Sequence, residues 1–217
     1  MMQKDYLFFD LDGTLTESAP GIIRSAKYAL SHFGITLSDE ELHRFIGPPL
    51  LESFQNLCGL CEEDSRHAIR LYRSYYEKKG IFENSVYDGV EEMLCRLKKA
   101  GNKIAMATSK PEIYAKKIAD HYGLTPYFDE IAGAALDHVR MTKSDVLRNA
   151  VRGVGLTDMA AGLMIGDRKH DVLGARELGM DTLGVLYGYG SRDELIRAGA
   201  LSVVSTPAEA ADFILSL

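Results

Sequence analysis

Short apolar runs alternate with amphipathic stretches along most of this chain, and one purely helical block interrupts the alternation. Tyr6-Leu7-Phe8-Phe9 reads as a strand buried on both faces, as in a parallel sheet. Soon afterwards the spacing becomes three and four: Ile22, Ile23, Ala26, Ala29, Leu30 and Phe33 share one helix face, with Pro20 in the first turn and Gly34 as the stop. Ser38-Asp39-Glu40-Glu41 has the form of a capping box and opens a short helix through Leu42, Phe45 and Ile46, which Gly47-Pro48-Pro49 ends. Two more helices are predicted over Leu50 to Leu57 and over Glu62 to Lys79, the latter with Ile69, Tyr72 and Tyr76 on one face. From about Glu17 to Gly80 the pattern predicts helix and no strand.

Beyond Asp88-Gly89 strands and helices alternate. The predicted strands are Lys103 to Ala107, Asp129 to Ala132, Leu163 to Ile165, Thr182 to Val185 and Leu201 to Val204. The helices between and after them are Val90 to Ala100, Pro111 to His121, Ser144 to Arg152, Val172 to Leu178, Arg192 to Ala198 and Pro207 to Leu215. Such an order implies an α/β fold, a parallel sheet covered on both faces and joined by right-handed crossovers. The helical block lies inside it, which divides the chain into a core of residues 1–16 and 83–217 and an insert of residues 17–82. The linkers are expected near Thr14 to Pro20 and Phe82 to Asp88.

The 217 residues suffice for one full core with a smaller appended domain, and a 46% hydrophobic fraction is ordinary for a globular chain. A net charge of -6 argues against nucleic acid and anionic membranes as partners, both of which require a basic face. Asp10 and Asp12 interrupt the only apolar run near the N-terminus, and no stretch is long enough to span a bilayer, so a cytoplasmic protein is expected. Cys58 and Cys61 form a Cys-x-x-Cys without a second pair. Small apolar residues near a helix end account for them, with redox chemistry or half a zinc site as the alternative.

Polar clusters follow several of the predicted strands, at the edge where open parallel sheets bind ligands. After the first strand come Asp10 and Asp12, one residue apart, then Gly13 and Thr14, which suit a turn. The pair reads either as loop acids or as chemistry. Thr108-Ser109-Lys110 is an N-cap or an anion site at a helix start. In Gly166-Asp167-Arg168-Lys169-His170-Asp171, Asp171 suits a helix N-terminus, whereas capping does not account for Asp167; His170 is a packing residue, ligand or base. Arg140 and Lys143 read as a solvated basic patch or a phosphate clamp. Three acids at one edge repel one another unless a divalent cation and a lysine offset them, and all-oxygen donors suit magnesium. No Gly-x-x-x-x-Gly-Lys-Ser/Thr or Gly-x-Gly-x-x-Gly is present, which disfavours nucleotide-driven motors and dinucleotide enzymes.

Taken in order, Asp10-Leu11-Asp12-Gly13-Thr14, Thr108-Ser109, Lys143 and Gly166-Asp167-x-x-x-Asp171 resemble the motifs of the haloacid dehalogenase superfamily of phosphohydrolases. The chain looks most like its phosphoglycolate phosphatase-like branch, whose members carry a helical C1-type cap inserted after the first motif. The resemblance implies a doubly wound, Rossmann-like parallel sheet core with an inserted all-helical cap domain. It also implies a Mg2+-dependent phosphomonoesterase acting on a small phosphorylated metabolite, as a monomer or weak homodimer. In these roles Asp10 is the nucleophile and Asp12 the acid and base. Thr108 and Lys143 hold the phosphoryl oxygens, and main-chain N–H groups near Gly13 and Ser109 add to that cradle. Magnesium is bridged by Asp10, the Asp12 carbonyl and Asp167, with Asp171 supporting the shell.

Asp12 argues against a dehalogenase, because halide leaves without a proton. Sugar-phosphate mutases, nucleoside monophosphate phosphatases and a non-catalytic phosphate-binding regulator remain as alternatives. Ser109 and Ser144 stand where the family often has Asn and Pro, which bears on subfamily more than on chemistry. Substrate choice is expected in the cap, with Arg44 and the Ile46-Gly47-Pro48-Pro49 loop as candidates; the alternative is a surface arginine beside a rigid helix terminator.

Overall fold

The computed structural model describes residues 4–136 and 141–217. In chain order the elements are β1 (Tyr6–Phe9), β2 (Thr16–Glu17), α1 (Ala19–Ser31), α2 (Asp39–His43), α3 (Leu50–Cys58), α4 (Glu62–Tyr76), β3 (Ser85–Val86), α5 (Val90–Lys99), β4 (Lys103–Pro111), α6 (Glu112–His121), β5 (Glu130–Ala134), α7 (Lys143–Val154), β6 (Gly162–Gly166), α8 (Lys169–Glu177), β7 (Asp181–Val185), α9 (Arg192–Ala198), β8 (Ser202–Val204) and α10 (Pro207–Leu215). Six strands form one sheet in the order β5-β4-β1-β6-β7-β8, and every pairing in it is parallel.

β1 is central because it can bury both faces. Leu7, Phe8 and Phe9 are fully buried and alternate between the two sides of the sheet. The register places Phe8 beside Ala105 on one neighbour and Met164 on the other. That row packs with Val146, Leu147 and Ala150 of α7 and Ala175 of α8 into one half of the core. The chain winds outward from β1 to β4 and β5, then returns to β6 and winds outward the other way. The reversal opens a crevice at the carboxyl end of β1, the switch point of a doubly wound sheet.

The chain separates into two compact units, Met1–Thr16 with Val86–Leu217, and Glu17–Ser85. The smaller unit is helical and has its own core, including Leu30, Leu42, Phe45 and Phe54. Phe45 and Phe54 meet edge to face with ring centroids 5.1 Å apart. Ser38 makes the full capping box with Glu41: Ser38 Oγ accepts from the Glu41 N–H at 3.3 Å, and the Ser38 N–H donates to the Glu41 carboxylate at 2.8 Å. The helical pattern does not mark the two connections as strands, yet β2 and β3 pair in a ribbon. Two residues each are too few to show a period.

Removing the Phe8 ring leaves a void between two covered faces of the central strand. Phe8→Ala is therefore expected to lower stability by about 3–5 kcal/mol, read as a shift of the urea midpoint with the slope unchanged.

Candidate active site

The turn after β1 is built by one buried carbonyl. Asp10 N–H continues the sheet ladder by donating to Ile165 O at 2.9 Å. Leu11 then turns its side chain fully inward, and its carbonyl accepts from the N–H groups of Thr14, Leu15 and Thr16 at 3.3, 2.9 and 3.0 Å. Such a tight coil requires Gly13 at φ +80°, and a Cβ there would also collide with the Asp167 carboxylate. Two acids thus leave one strand on a rigid turn. Among the described residues, both polar contacts of the Asp10 carboxylate fall on Oδ1, from Leu11 N–H at 2.8 Å and Lys143 Nζ at 2.8 Å.

Asp167 and Asp171 reach the same edge from β6 and α8. Asp167 is fully buried; its Oδ2 accepts from the Tyr189 N–H at 2.7 Å, and Thr14 Oγ1 lies 3.5 Å from its Oδ1. Asp171 serves two ends at once. Its Oδ2 accepts from the Arg168 N–H at 3.0 Å at the start of α8, while its Oδ1 pairs with Lys143 Nζ at 2.7 Å. Gly166 makes this geometry available, since a Cβ there would collide with the Asp171 carboxyl.

Lys143 is the first residue of α7, not part of the preceding loop. Thr142 caps that helix, and Asp145 completes the box. Gly174 of α8 lets the Lys143 stem pack closely, 3.0 Å from where a Cβ would sit. One ammonium is therefore held between the carboxylates of Asp10 and Asp171. Arg140 lies outside the described residues.

Ligand atoms of Asp10, Asp167 and Asp171 all lie within 4.8 Å of one another. Burial and the neighbouring Asp171 and Asp10 carboxylates push Asp167 well above the usual carboxylate range. Burial likewise raises Asp171, against the opposing pull of Lys143, to about 6. Burial by itself would lower Lys143, but Asp10 and Asp171 outweigh it, so its charge is held more firmly than that of a free lysine. Hard oxygen donors that converge and repel one another in this way fit a divalent cation.

Asp12 lies apart from this trio. Its Oδ1 pairs with Lys110 Nζ at 2.6 Å, and both side chains are largely buried. Thr108 and Ser109 do not start a helix. β4 runs on to Pro111, because the residue before a proline is pushed toward extended backbone, and α6 begins only at Glu112, with Pro111 as its N-cap. The alternation of a strand then places Thr108 and Lys110 inward and Ser109 outward. Thr108 Oγ1 accepts from the Lys110 N–H at 3.2 Å.

The larger unit therefore brings together Asp10, Asp12, Gly13, Thr108, Lys143, Asp167 and Asp171 at one sheet edge. Arg44 and Gly47 belong to the smaller unit, where Arg44 is the exposed C-cap of α2 and Gly47 has φ +101°. His170 is exposed and contributes no atom to the carboxylate trio. The sequence pattern includes Lys110 only within the Thr108-Ser109-Lys110 cluster, without its link to Asp12, and overlooks Tyr189 altogether. Tyr189 acts through its main chain; the available signal was its flanking Gly188 and Gly190, where a side chain would run into Asp167.

Comparison with known proteins agrees with this geometry. The family model described as haloacid dehalogenase-like hydrolase matches residues 7–185. A 5'-nucleotidase of Pseudomonas aeruginosa is 43% identical over 190 residues, 87% of this chain and 86% of that protein. A protein of Mycobacterium tuberculosis named tyrosine-protein kinase PtkA is 42% identical over 189 residues, which are 86% of this chain but only 64% of its own length. A phosphoglycolate phosphatase of Colwellia psychrerythraea is 26% identical over 208 residues, 92% of each chain. A solved structure, described as a predicted phosphatase from Clostridium acetobutylicum, superposes with a TM-score of 0.94 at 44% identity and covers all of both chains. With its motifs gathered at one sheet edge and a family match over most of its length, this chain belongs to the haloacid dehalogenase-like hydrolases, among their phosphatases.

Proposed function

We propose that the chain is a magnesium-dependent phosphomonoesterase that works through an aspartyl-phosphate on Asp10. The observation that carries this reading is a charge count at the sheet edge. Three carboxylates that converge there, Asp10, Asp167 and Asp171, face one buried ammonium, Lys143, and when all three are ionised two negative charges are left over. That is the charge of one divalent cation. Asp10, Asp167 and the Asp12 carbonyl would hold it with Asp171 behind them, and when bound it supplies positive charge to the phosphoryl oxygens.

In this reading Asp10 attacks phosphorus with the oxygen that Leu11 and Lys143 leave unengaged. As the bond to the leaving oxygen breaks, the Asp12 carboxyl donates its proton to that oxygen. Asp12 then takes a proton from the water that displaces Asp10. Thr108, Lys143 and main-chain N–H groups near Gly13 and Ser109 receive the phosphoryl oxygens. The substrate is a small phosphorylated metabolite met in the cytoplasm. The 43% identity to a 5'-nucleotidase supports nucleoside monophosphates, beside 2-phosphoglycolate, as first candidates. In the helical unit, Arg44 and the loop at Gly47 read the group carrying the phosphate. The relative named a tyrosine-protein kinase favours a second reading, in which a tyrosine hydroxyl replaces water as acceptor from the same aspartyl-phosphate.

Hydrolysis of p-nitrophenyl phosphate is expected to require magnesium and to stop on chelation. Asp10→Asn is expected to lower kcat by at least about a thousandfold and Asp12→Asn by about 10²–10⁴-fold. Undiminished turnover by the Asp10 variant would remove the nucleophile assignment. A panel of nucleoside monophosphates, 2-phosphoglycolate, sugar phosphates and a tyrosine peptide, followed by phosphorus NMR, separates ester hydrolysis from isomerisation and from transfer.

Metal-free stability also carries a sign. Asp167 and Asp171 hold their protons more tightly folded than unfolded, so their contribution is favourable at low pH and is lost as pH rises, for Asp171 through about 6. A cation replaces those protons. The rise in melting temperature on adding magnesium should therefore grow between about pH 5 and 8 and vanish in Asp167→Asn, as measured by calorimetry; a pH-independent rise would contradict the assignment.

A further inference from the structure

We infer that Lys110 is a positioning residue for Asp12, one that holds the carboxylate in place to accept the water proton in the second half of the reaction. The inference rests on the phosphatase reading above. Its basis is the placement of Lys110. Strand alternation carries it inward beside Thr108, Pro111 keeps its backbone extended, and its ammonium meets Asp12 Oδ1 at 2.6 Å. The lysine side chain is 5% exposed and the aspartate 16%.

Stability does not explain such a pair. A buried ion pair gives back in Coulomb attraction about what it loses in desolvation, and an apolar pair of similar volume is often as stable. Geometry explains it better. The other ammonium at this edge is already shared between Asp10 and Asp171. Without Lys110, the Asp12 carboxylate would be free to swing toward Lys143 or toward the cation site that Asp10 and Asp167 would form. Lys110 draws it aside and leaves one of its oxygens, Oδ2, to face a reacting water. In the step concerned, the water oxygen bonds to phosphorus, the bond from phosphorus to the Asp10 oxygen breaks, and the water proton passes to Asp12. Lys110 passes no proton in this step and acts through its contact with Asp12.

Stopped-flow hydrolysis of p-nitrophenyl phosphate with saturating magnesium tests this, because nitrophenolate leaves without help and isolates the second step. Lys110→Met is expected to release a burst approaching one nitrophenolate per enzyme, followed by turnover about tenfold slower, with KM falling alongside kcat. Lys110→Gln should behave the same way, and Lys110→Arg should restore turnover without a burst. Melting curves of each variant identify any that has lost its fold; if Lys110→Met is lost, the contrast between Gln and Arg decides. Turnover by the variants without a burst, whether slowed or not, overturns the inference while the wild-type rate upholds the phosphatase reading. A wild type inert toward every phosphate ester overturns both.

Discussion

The sharing of one buried ammonium, Lys143, between Asp10 and Asp171 is the contact on which the rest of this edge depends. Carboxylates that converge within a few ångströms in a protein interior cannot all remain charged without compensation, and Lys143 offsets only part of the repulsion. Burial first, and the remaining repulsion after it, push Asp167 and Asp171 upward. The core is arranged to keep that charge in place: α7 begins at Lys143, α8 packs against its stem at Gly174, and Gly166 clears a space for Asp171.

The backbone explains why the arrangement is rigid. Asp10 is tied to Ile165 by the sheet ladder, Leu11 anchors the following turn from inside the core, and Tyr189 holds Asp167 through a main-chain N–H. Each of these carboxylates is thus one bond away from a packed element, which leaves little to reorganise in any reaction that depends on positioning and charge. The Gly13 turn and the Gly188-to-Gly190 loop approach Asp167 so closely that side chains at those glycines would displace it.

Much of this was legible in the sequence, and the failures have physical causes. Apolar runs located the sheet strands because a parallel sheet buries both faces, and the Ser38 capping box was legible because its donors and acceptors are local. Periodicity lost β4 at Ala107, since Thr108 and Lys110 are polar residues turned inward toward chemistry instead of core. The start of α7 was missed by one residue, because Asp145 stands where the capping box more often has Glu or Gln. Tyr189 contributes a backbone group, which no side-chain pattern displays. Polar residues with strand periodicity at the end of an apolar run are therefore better read as a continued strand whose buried face has become a site.

That correction alters what the Asp-x-Asp pair is. Seen along the chain, Asp10 and Asp12 are equivalent acids on one turn. In the fold each has its own lysine, from a different element: Lys143 from the first turn of α7 for Asp10, and Lys110 from the last residues of β4 for Asp12. Lys143 also binds Asp171, so Asp10 is fixed within the cation-facing trio, whereas the Lys110 contact draws Asp12 away from it. Two residues of one type, two positions apart, acquire different surroundings because α7 and β4 deliver different cations to their two sides, and the intervening Leu11, buried in the core, keeps them from exchanging places.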